Sequence, residues 1–270
     1  MRILVINPNT TEAMTRDIHA EAVRYARAGT EIETLSPAWG PRSIEGHADD
    51  EFAAVATLEV VRDRAAEFDG VVIACFGDPG LFAARELSPV PVVGIAEASM
   101  LLACTVAHRF SVVTVLPRVK PWIEDTVRLH GLDRRCASVR TTTLTVFDCE
   151  RDPGAAEREI VRVGRLAVEE DGAEAICLGC AGMGPLDKAV EAALGVPVLD
   201  GVACAVKLVE SLVDYGVSTS RVAAFREPEE KEHVPRPDRA APIAQRCFST
   251  RARAARPRAH GSPQRRPRRR

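Results

Sequence analysis

The sequence predicts an α/β fold made of two similar halves, each with a mostly parallel sheet. Short β-branched runs alternate with longer segments of helical pattern rich in Ala, Glu and Arg. This alternation is typical of parallel strands joined by crossover helices. In addition, three features of the first half recur in the same order about 105 to 109 positions later.

Nine β-branched runs predict strands, and the segments between them predict helices. The strand candidates are 3–6, 32–35, 71–74, 92–95, 112–116, 139–146, 175–178, 196–199 and 222–225. The clearest helical patterns are 49–68, 123–130, 154–171 and 204–215. Each helical segment is long enough to cross a face of the sheet and bring the next strand in parallel.

The repeat assigns the strands to two halves, predicted at 1–104 and 105–225. Residues 3–6 resemble 112–115, residues 71–75 resemble 176–180, and PVVG at 91–94 resembles PVLD at 197–200. Ordered matches at a nearly constant spacing indicate an internal repeat. Ligands of parallel sheets bind beyond the carboxyl ends of the strands, so we expect a site in the cleft between the halves.

Charge divides the chain into an acidic body and a basic tail. The whole chain has a net charge of −2, but residues 226–270 carry 14 basic and 5 acidic residues. This tail is rich in Arg and Pro and has almost no apolar periodicity, so we predict that it is disordered. Basic tails can bind nucleic acid, but this one has almost no aromatic residues for stacking, and we expect no such contact.

Composition favours a soluble protein of the cytoplasm. At 46% hydrophobic residues the chain can bury a substantial core, and no apolar run is long enough to span a membrane. The N-terminus reads directly as a strand rather than as a signal segment. In a reducing compartment the eight cysteines are expected to be thiols rather than disulfides.

Two cysteines stand where a predicted strand ends. Cys75 lies in ACFGDPG at 74–80, and Cys180 lies in LGCAGM at 178–183. Asp78 and Pro79 predict a helix start just after Cys75, with Asp78 as its N-cap. The amides of such a helix terminus would favour the thiolate over the thiol. Because the two cysteines occupy matching places in the repeat, we expect them to face one cleft.

Two facing thiols in direct contact could form a disulfide, whereas two thiols on either side of a small molecule can exchange a proton with carbon. One thiolate removes the proton as general base, and the opposite thiol returns a proton to the other face as general acid. The carbon acid must be activated, which favours a neutral cyclic amide or imide whose enolate backbone amides can stabilise. The pattern therefore predicts a two-base racemase.

Five motifs together resemble the hydantoin/allantoin racemase family of the aspartate/glutamate racemase superfamily. They are VINPNTT at 5–11, GPRSIEG at 40–46, ACFGDPGL at 74–81, PVVGIAEA at 91–98 and LGCAGM at 178–183. The resemblance covers about residues 1–225 and departs after Phe225, where the Arg/Pro-rich tail begins. It implies racemisation of a 5-substituted hydantoin or of allantoin without a cofactor or a metal, by a homo-oligomer.

The resemblance also assigns site residues. It implies that Cys75 and Cys180 are the catalytic acid/base pair. Residues implied to contact the substrate are Asn7, Ser43, Phe76, Gly77, Asp78, Thr114, Ala181, Gly182 and Met183. Asn7 would lie in a loop over the ring, Ser43 in the 40–46 loop, and the others beside the ring carbonyls and amides.

Other interpretations of the same residues compete with this one. Cys177 and Cys180 form a C-x-x-C spacing that could bind zinc or act in redox chemistry, although Cys177 falls inside a predicted strand. An aspartate/glutamate-type amino-acid racemase would need cations for its carboxylates, and the motif loops offer only Arg42. A non-catalytic binding protein with this fold is a third possibility. We interpret five further cysteines, Cys104, Cys136, Cys149, Cys177 and Cys204, as packing residues, and His47, His108 and His130 as core or surface histidines.

Overall fold

Two four-stranded parallel sheets form the frame of the molecule, whose computed structural model describes residues 1–229 and, at Glu150, the backbone alone. The strands are β1 Arg2–Ile6, β2 Glu31–Leu35, β3 Gly70–Ile73, β4 Val92–Gly94, β5 Phe110–Thr114, β6 Cys136–Thr141, β7 Ala175–Leu178 and β8 Val198–Leu199. The helices are α1 Glu12–Tyr25, α2 His47–Arg64, α3 Leu81–Leu87, α4 Ile95–Val106, α5 Lys120–Leu129, α6 Asp148–Arg151, α7 Pro153–Glu169, α8 Asp187–Leu194 and α9 Gly201–Tyr215.

The two sheets have the same topology. The first has the strand order β2-β1-β3-β4 and the second the order β6-β5-β7-β8, with every pairing parallel. The central strands β3, β5 and β7 are fully buried, which explains their continuous apolar runs. The predicted α/β fold with two pseudo-symmetric halves is confirmed.

The halves exchange one helix each. Helix α4 follows the first sheet but packs on β5, β7 and β8 of the second, whereas α9 follows the second sheet and packs on β3 and β4 of the first. At Gly70 of β3, an added Cβ would lie 2.4 Å from Cγ1 of Val209 in α9, so α9 packs directly on the strand backbone. One apolar core therefore runs through both halves.

The predicted boundary between the two halves does not coincide with a boundary in the structure. The expected division after residue 104 falls inside α4, the helix that joins the halves, and Met1–Pro228 forms a single compact unit. The structure therefore gives the two sheets as the repeating units, with α4 and α9 as shared elements. The predicted disordered tail lies, from residue 230 onward, outside the described residues.

One predicted strand is wrong and another is shifted. Residues Ala223–Phe225 form a 3-10 turn instead of a strand, because Ala223 has a left-handed φ of 61°. The Arg221 guanidinium holds this segment against α3 by donating to the Arg85 and Glu86 carbonyls. Strand β6 begins and ends earlier than 139–146, since the chain leaves the sheet after Thr141.

Candidate active site

Cys75 and Cys180 line the same cavity, at the carboxyl ends of β3 and β7. Its walls come from both halves: Asn9, Met14, Ile44, Ala74, Cys75, Phe76 and Gly77 from the first, and Thr114, Val115, Val119, Trp122, Ile123, Val146, Gly179, Cys180 and Ala181 from the second. The structure thus brings together the two cysteines that the sequence repeat paired.

The chain makes the same turn after each cysteine. The Cys75 carbonyl accepts a hydrogen bond from the Asp78 amide (2.9 Å), and the Cys180 carbonyl accepts one from the Met183 amide (3.0 Å). On the first side, the Gly77 amide also donates to the Cys75 sulfur. The two turns therefore hold each cysteine and the residue after it on the cavity wall.

Close packing requires a glycine near each of the two cysteines. At Gly77 an added Cβ would lie only 1.9 Å from Cζ2 of Trp122, so the indole packs directly on the peptide behind Cys75. At Gly179 an added Cβ would lie 2.6 Å from Cβ of Thr114, whose hydroxyl donates to the Gly179 carbonyl (2.8 Å). Any larger side chain at either position would displace a wall of the cavity.

The sequence context predicts that Asp78 caps the helix that follows it, but in the structure it does not. Its backbone is left-handed (φ 49°), and α3 begins only at Leu81 after Gly80. The Asp78 carboxylate instead accepts hydrogen bonds from the Ala96 and Glu97 amides (3.0 and 2.9 Å) at the start of α4. The loop of Cys75 is therefore tied to the helix that crosses to the other sheet.

The second half also pairs an aspartate with a glycine, but the two residue types occupy each other's positions. There the aspartate is Asp200, which caps its own helix α9 through the Val202 and Ala203 amides (3.2 and 2.8 Å). Gly184, in the turn after Cys180, leaves room for this carboxylate, since an added Cβ would lie 2.8 Å from Asp200 Oδ1. In the first half Gly94 leaves the room and Asp78 fills it.

Burial has a larger effect on the pKa of Cys75 than the backbone amides of the following turn. Burial raises the pKa of the Cys75 thiol well above its ordinary value, and the nearby Asp50 carboxylate raises it further. The hydrogen bond from the Gly77 amide lowers this pKa, as expected, but does not outweigh burial. Burial therefore opposes the predicted thiolate at Cys75.

The predicted substrate contacts divide into two groups. Phe76, Gly77, Thr114 and Ala181 border the cavity beside the cysteines, whereas Asn7, Ser43, Asp78, Gly182 and Met183 are not among its walls. Asn7 is fully buried, and its amide donates to Asn9 Oδ1 and Thr15 Oγ1 (3.0 and 2.9 Å). In the same two loops, Asn9 and Ile44 reach the cavity in place of Asn7 and Ser43.

Sequence reasoning missed two residues beside Cys75. Trp122 projects from α5, where its spacing from Val119 and Ile123 indicates only a core face. Asp50 stands in the first turn of α2, where an acidic residue is ordinarily explained by the helix dipole. Nothing local in either pattern indicates that both side chains meet at Gly77.

The remaining cysteines and histidines lie away from the cavity walls. Cys177 is fully buried in β7 with its thiol next to Ser99 and Cys204, and burial raises its pKa well above the ordinary value. The seven cysteines within residues 1–229 are all free thiols. His130 is buried, with Nε2 3.6 Å from Asp78 Oδ2 and Nδ1 3.8 Å from Glu97 Oε1.

The family model for Asp/Glu/Hydantoin racemase matches residues 3–209. The chain belongs to this family. It is 50% identical over 235 residues to a hydantoin racemase from Pseudomonas sp., covering 87% of this chain and 94% of that protein.

Two solved structures of similar proteins have the same fold. The allantoin racemase from Klebsiella pneumoniae has a TM-score of 0.84 at 47% identity, with 87% of this chain and 96% of that chain covered. The allantoin racemase from Pseudomonas fluorescens has a TM-score of 0.85 at 45% identity, with 87% and 100% covered.

The charge of the cavity wall bears on which substrates the cavity can hold. The residues that line this cavity include no acidic or basic side chain other than the two thiols, and Asn9 and Thr114 offer polar side chains among them. Arg42, the only basic residue of the motif loops, is exposed outside this wall. A substrate carboxylate would therefore meet no cation on the walls described.

Proposed function

We propose that this racemase inverts the chiral carbon of 5-substituted hydantoins or of allantoin, without a cofactor, by using Cys75 and Cys180 as the two acid/base groups. Support comes from relatives named hydantoin racemase and structural neighbours named allantoin racemase. The single observation that carries the mechanism is that both thiols line one uncharged cavity at matching strand ends.

The proton leaves on one face of the ring and returns on the other. A thiolate at one cysteine takes the proton from C5, and the electron pair of the C–H bond moves into an enolate on the adjacent ring carbonyl. The opposite thiol then donates its proton to C5, so the ring is released with inverted configuration. Atoms balance, because the enzyme ends with its thiol and thiolate exchanged.

The neutral ring and the two tight turns fit this chemistry. A hydantoin C5 proton is more acidic than that of an amino acid, because no carboxylate charge opposes the developing enolate. Phe76 and Ala181, which directly follow the two cysteines, line the cavity, and their backbone amides are candidates to stabilise the enolate oxygen. Thr114 and Asn9 offer further polar contacts to the ring amides.

The apolar walls favour hydantoins whose 5-substituent is apolar. Ile44, Val119, Trp122, Ile123 and Val146 supply this surface. The ureido substituent of allantoin would leave polar groups against it, at a cost of about 1–3 kcal/mol for each one that stays unpaired. We therefore rank a 5-alkyl or 5-arylmethyl hydantoin above allantoin as the preferred substrate.

Polarimetry on the purified full chain tests the proposal. Enantiomerically pure 5-benzylhydantoin, allantoin and aspartate are each incubated with enzyme, and loss of optical rotation is followed. We expect the hydantoin to racemise fastest and aspartate not at all. Racemisation of aspartate alone would favour the amino-acid racemase, and no turnover of any of the three would favour a binding protein.

We also infer a homo-oligomer that works in the cytoplasm. The family resemblance supports the oligomer, and the exposed apolar side chains of Leu101 and Val106 on α4 offer a contact surface.

The cytoplasmic location is supported by the cysteines, because seven described cysteines outside disulfides are typical of a reducing compartment. No helix within residues 1–229 is long and apolar enough to cross a membrane. Light scattering during size-exclusion chromatography would give the subunit number.

A further inference from the structure

A carboxyl group lies directly behind the loop of Cys75. Asp50 projects from the first turn of α2, and its Oδ1 would be only 2.9 Å from a Cβ added at Gly77. This oxygen is shielded from solvent and has no hydrogen-bond partner among the residues described. A buried carboxylate oxygen without a donor is costly, which indicates a role other than stability.

We propose that Asp50 is a positioning residue that holds the catalytic proton on Cys75, so that Cys180 is the base in the resting enzyme. The inference rests on the proposed two-cysteine function, and it specifies which thiol begins the cycle. Asp50 acts through Cys75 and needs no contact with the substrate.

The charges around Cys75 differ in how far they are neutralised. Asp78 also faces Cys75, but its carboxylate is held by two amides of α4 and lies close to His130. Oδ1 of Asp50 has no such donor within residues 1–229, and Asp49 and Glu51 beside it on α2 add negative charge. From α5, Asp125 and His130 border the same groove as Asp50.

These surroundings make Asp50 and Cys75 compete for negative charge. Burial, followed by Glu51 and Asp78, raises the pKa of Asp50 to about 7. The pKa of Cys75 is raised by burial first and by Asp50 second. An ionised Asp50 therefore opposes a thiolate at Cys75, and a thiolate at Cys75 favours protonation of Asp50.

Alkylation of the cysteines as a function of pH tests the inference. Wild type and Asp50→Asn are treated with iodoacetamide between about pH 6 and 10, and modification of Cys75 and Cys180 is quantified by peptide mass spectrometry. In the wild type, we expect the midpoint for Cys180 to lie below that for Cys75. In Asp50→Asn, the Cys75 midpoint should fall, and its rate at pH 8 should rise about threefold to tenfold.

A neighbouring carboxylate supplies the matched control. Glu51→Gln removes an exposed charge one residue along α2 that acts on Asp50 and is not among the charges acting on Cys75, so it should move the Cys75 midpoint far less than Asp50→Asn does. Asp50→Ser serves as a second uncharged variant and should shift Cys75 in the same direction as Asp50→Asn. An unchanged or raised Cys75 midpoint in folded Asp50 variants would overturn the role of Asp50, as would a wild-type midpoint lower for Cys75 than for Cys180.

The same samples separate this inference from the proposed function. Racemisation of a hydantoin by the wild type, together with an unshifted Cys75 midpoint in Asp50→Asn, would overturn the Asp50 role alone. A shifted midpoint without racemisation of hydantoin or allantoin would overturn the proposed function and support the coupling of Asp50 to Cys75.

Discussion

The turns after Cys75 and Cys180 have the same backbone geometry but different electrostatic surroundings. Each turn closes through a hydrogen bond to the cysteine carbonyl, and a glycine within two residues of each cysteine has a neighbouring side chain where its Cβ would lie. Around Cys75, however, Gly77 meets Trp122 and the Asp50 carboxylate, whose Oδ1 has no hydrogen-bond partner within residues 1–229, whereas Gly179 beside Cys180 meets Thr114. Repetition of the fold thus brings the two thiols to matching strand ends, and the side chains packed behind them differ.

Removal of either thiol should have the largest effect. Cys75→Ser and Cys180→Ser are each expected to lower racemisation at least about a hundredfold, since each removes one of two obligatory proton-transfer groups. Each variant should still exchange the C5 proton of the one enantiomer that presents it to the remaining thiol. Proton NMR in deuterated water measures this exchange for each enantiomer.

Cys177→Ser is the matched control for these variants. Cys177 is a buried cysteine three residues before Cys180 and outside the cavity walls. It should retain catalysis per folded molecule, although its thiol packs in the core. If either Cys75→Ser or Cys180→Ser racemised as fast as the wild type, the two thiols would not be a catalytic pair.

Substitution of the glycines near the two cysteines should have the next largest effect, a loss of stability. Gly77→Ala should destabilise by about 1–3 kcal/mol, because its Cβ would overlap the Trp122 indole, and Gly179→Ala should do the same against Thr114. Gly182→Ala should not destabilise, since the nearest atom to its Cβ, Cys180 Sγ, is 3.9 Å away. Urea unfolding of the three variants measures the difference.

A second substitution sharpens this prediction. Trp122→Ala should relieve part of the destabilisation of Gly77→Ala but none of that of Gly179→Ala, because the indole packs only on the first turn. Equal destabilisation by alanine at positions 77 and 182 would contradict the packing described here.

Asp50→Asn should alter stability in a pH-dependent way. The pKa of Asp50 is about 7 in the folded protein and lower in the unfolded chain, so the folded state holds the proton more tightly. Wild-type stability therefore falls relative to Asp50→Asn as pH rises from about 4 to 7, by roughly 1 to 2 kcal/mol after allowance for partial exposure. Thermal unfolding at the two ends of this range measures the change, and a gap that stayed constant would contradict the raised pKa.

The helix caps should give the smallest effects. Asp78→Ala and Asp200→Ala each remove the side chain that accepts from two amides of α4 or α9 and should destabilise by about 1 kcal/mol. Asparagine at either position retains a cap and should cost less. If asparagine destabilised as much as alanine, the charge of these carboxylates rather than capping would be their main contribution.

The sequence was most informative where a physical pattern is local or repeated. Continuous apolar runs predicted the buried strands, and the spacing of the two cysteine motifs predicted that they meet. The pattern failed for Asp78, whose local context resembles an N-cap, because the amides it satisfies belong to Ala96 and Glu97 in a different helix. It also failed for Val222 to Phe225, where β-branched and apolar residues suggest a strand but Arg221 ties the segment to α3.

The cavity walls show the same limit. Cys75, Thr114 and Cys180 lie at strand ends, so their place at the sheet edge follows from topology. Trp122 and Asp50 reach Gly77 from α5 and α2, and only the packing of these helices brings them there. The exchange of α4 and α9 between the sheets could not be predicted from the sequence either, since each helix would bury the same apolar face on its own sheet or on the other one.

The isotope content of substrate and product early in the reaction tests the two-base account most directly. One enantiomer of 5-benzylhydantoin is incubated with the enzyme in deuterated water, and both enantiomers are separated after about a tenth of the substrate has turned over. With thiols on opposite faces, the product enantiomer carries deuterium at C5, whereas the remaining substrate retains its hydrogen. Equal deuterium in both enantiomers from the start would mean that one group serves both faces, and would contradict paired action of Cys75 and Cys180.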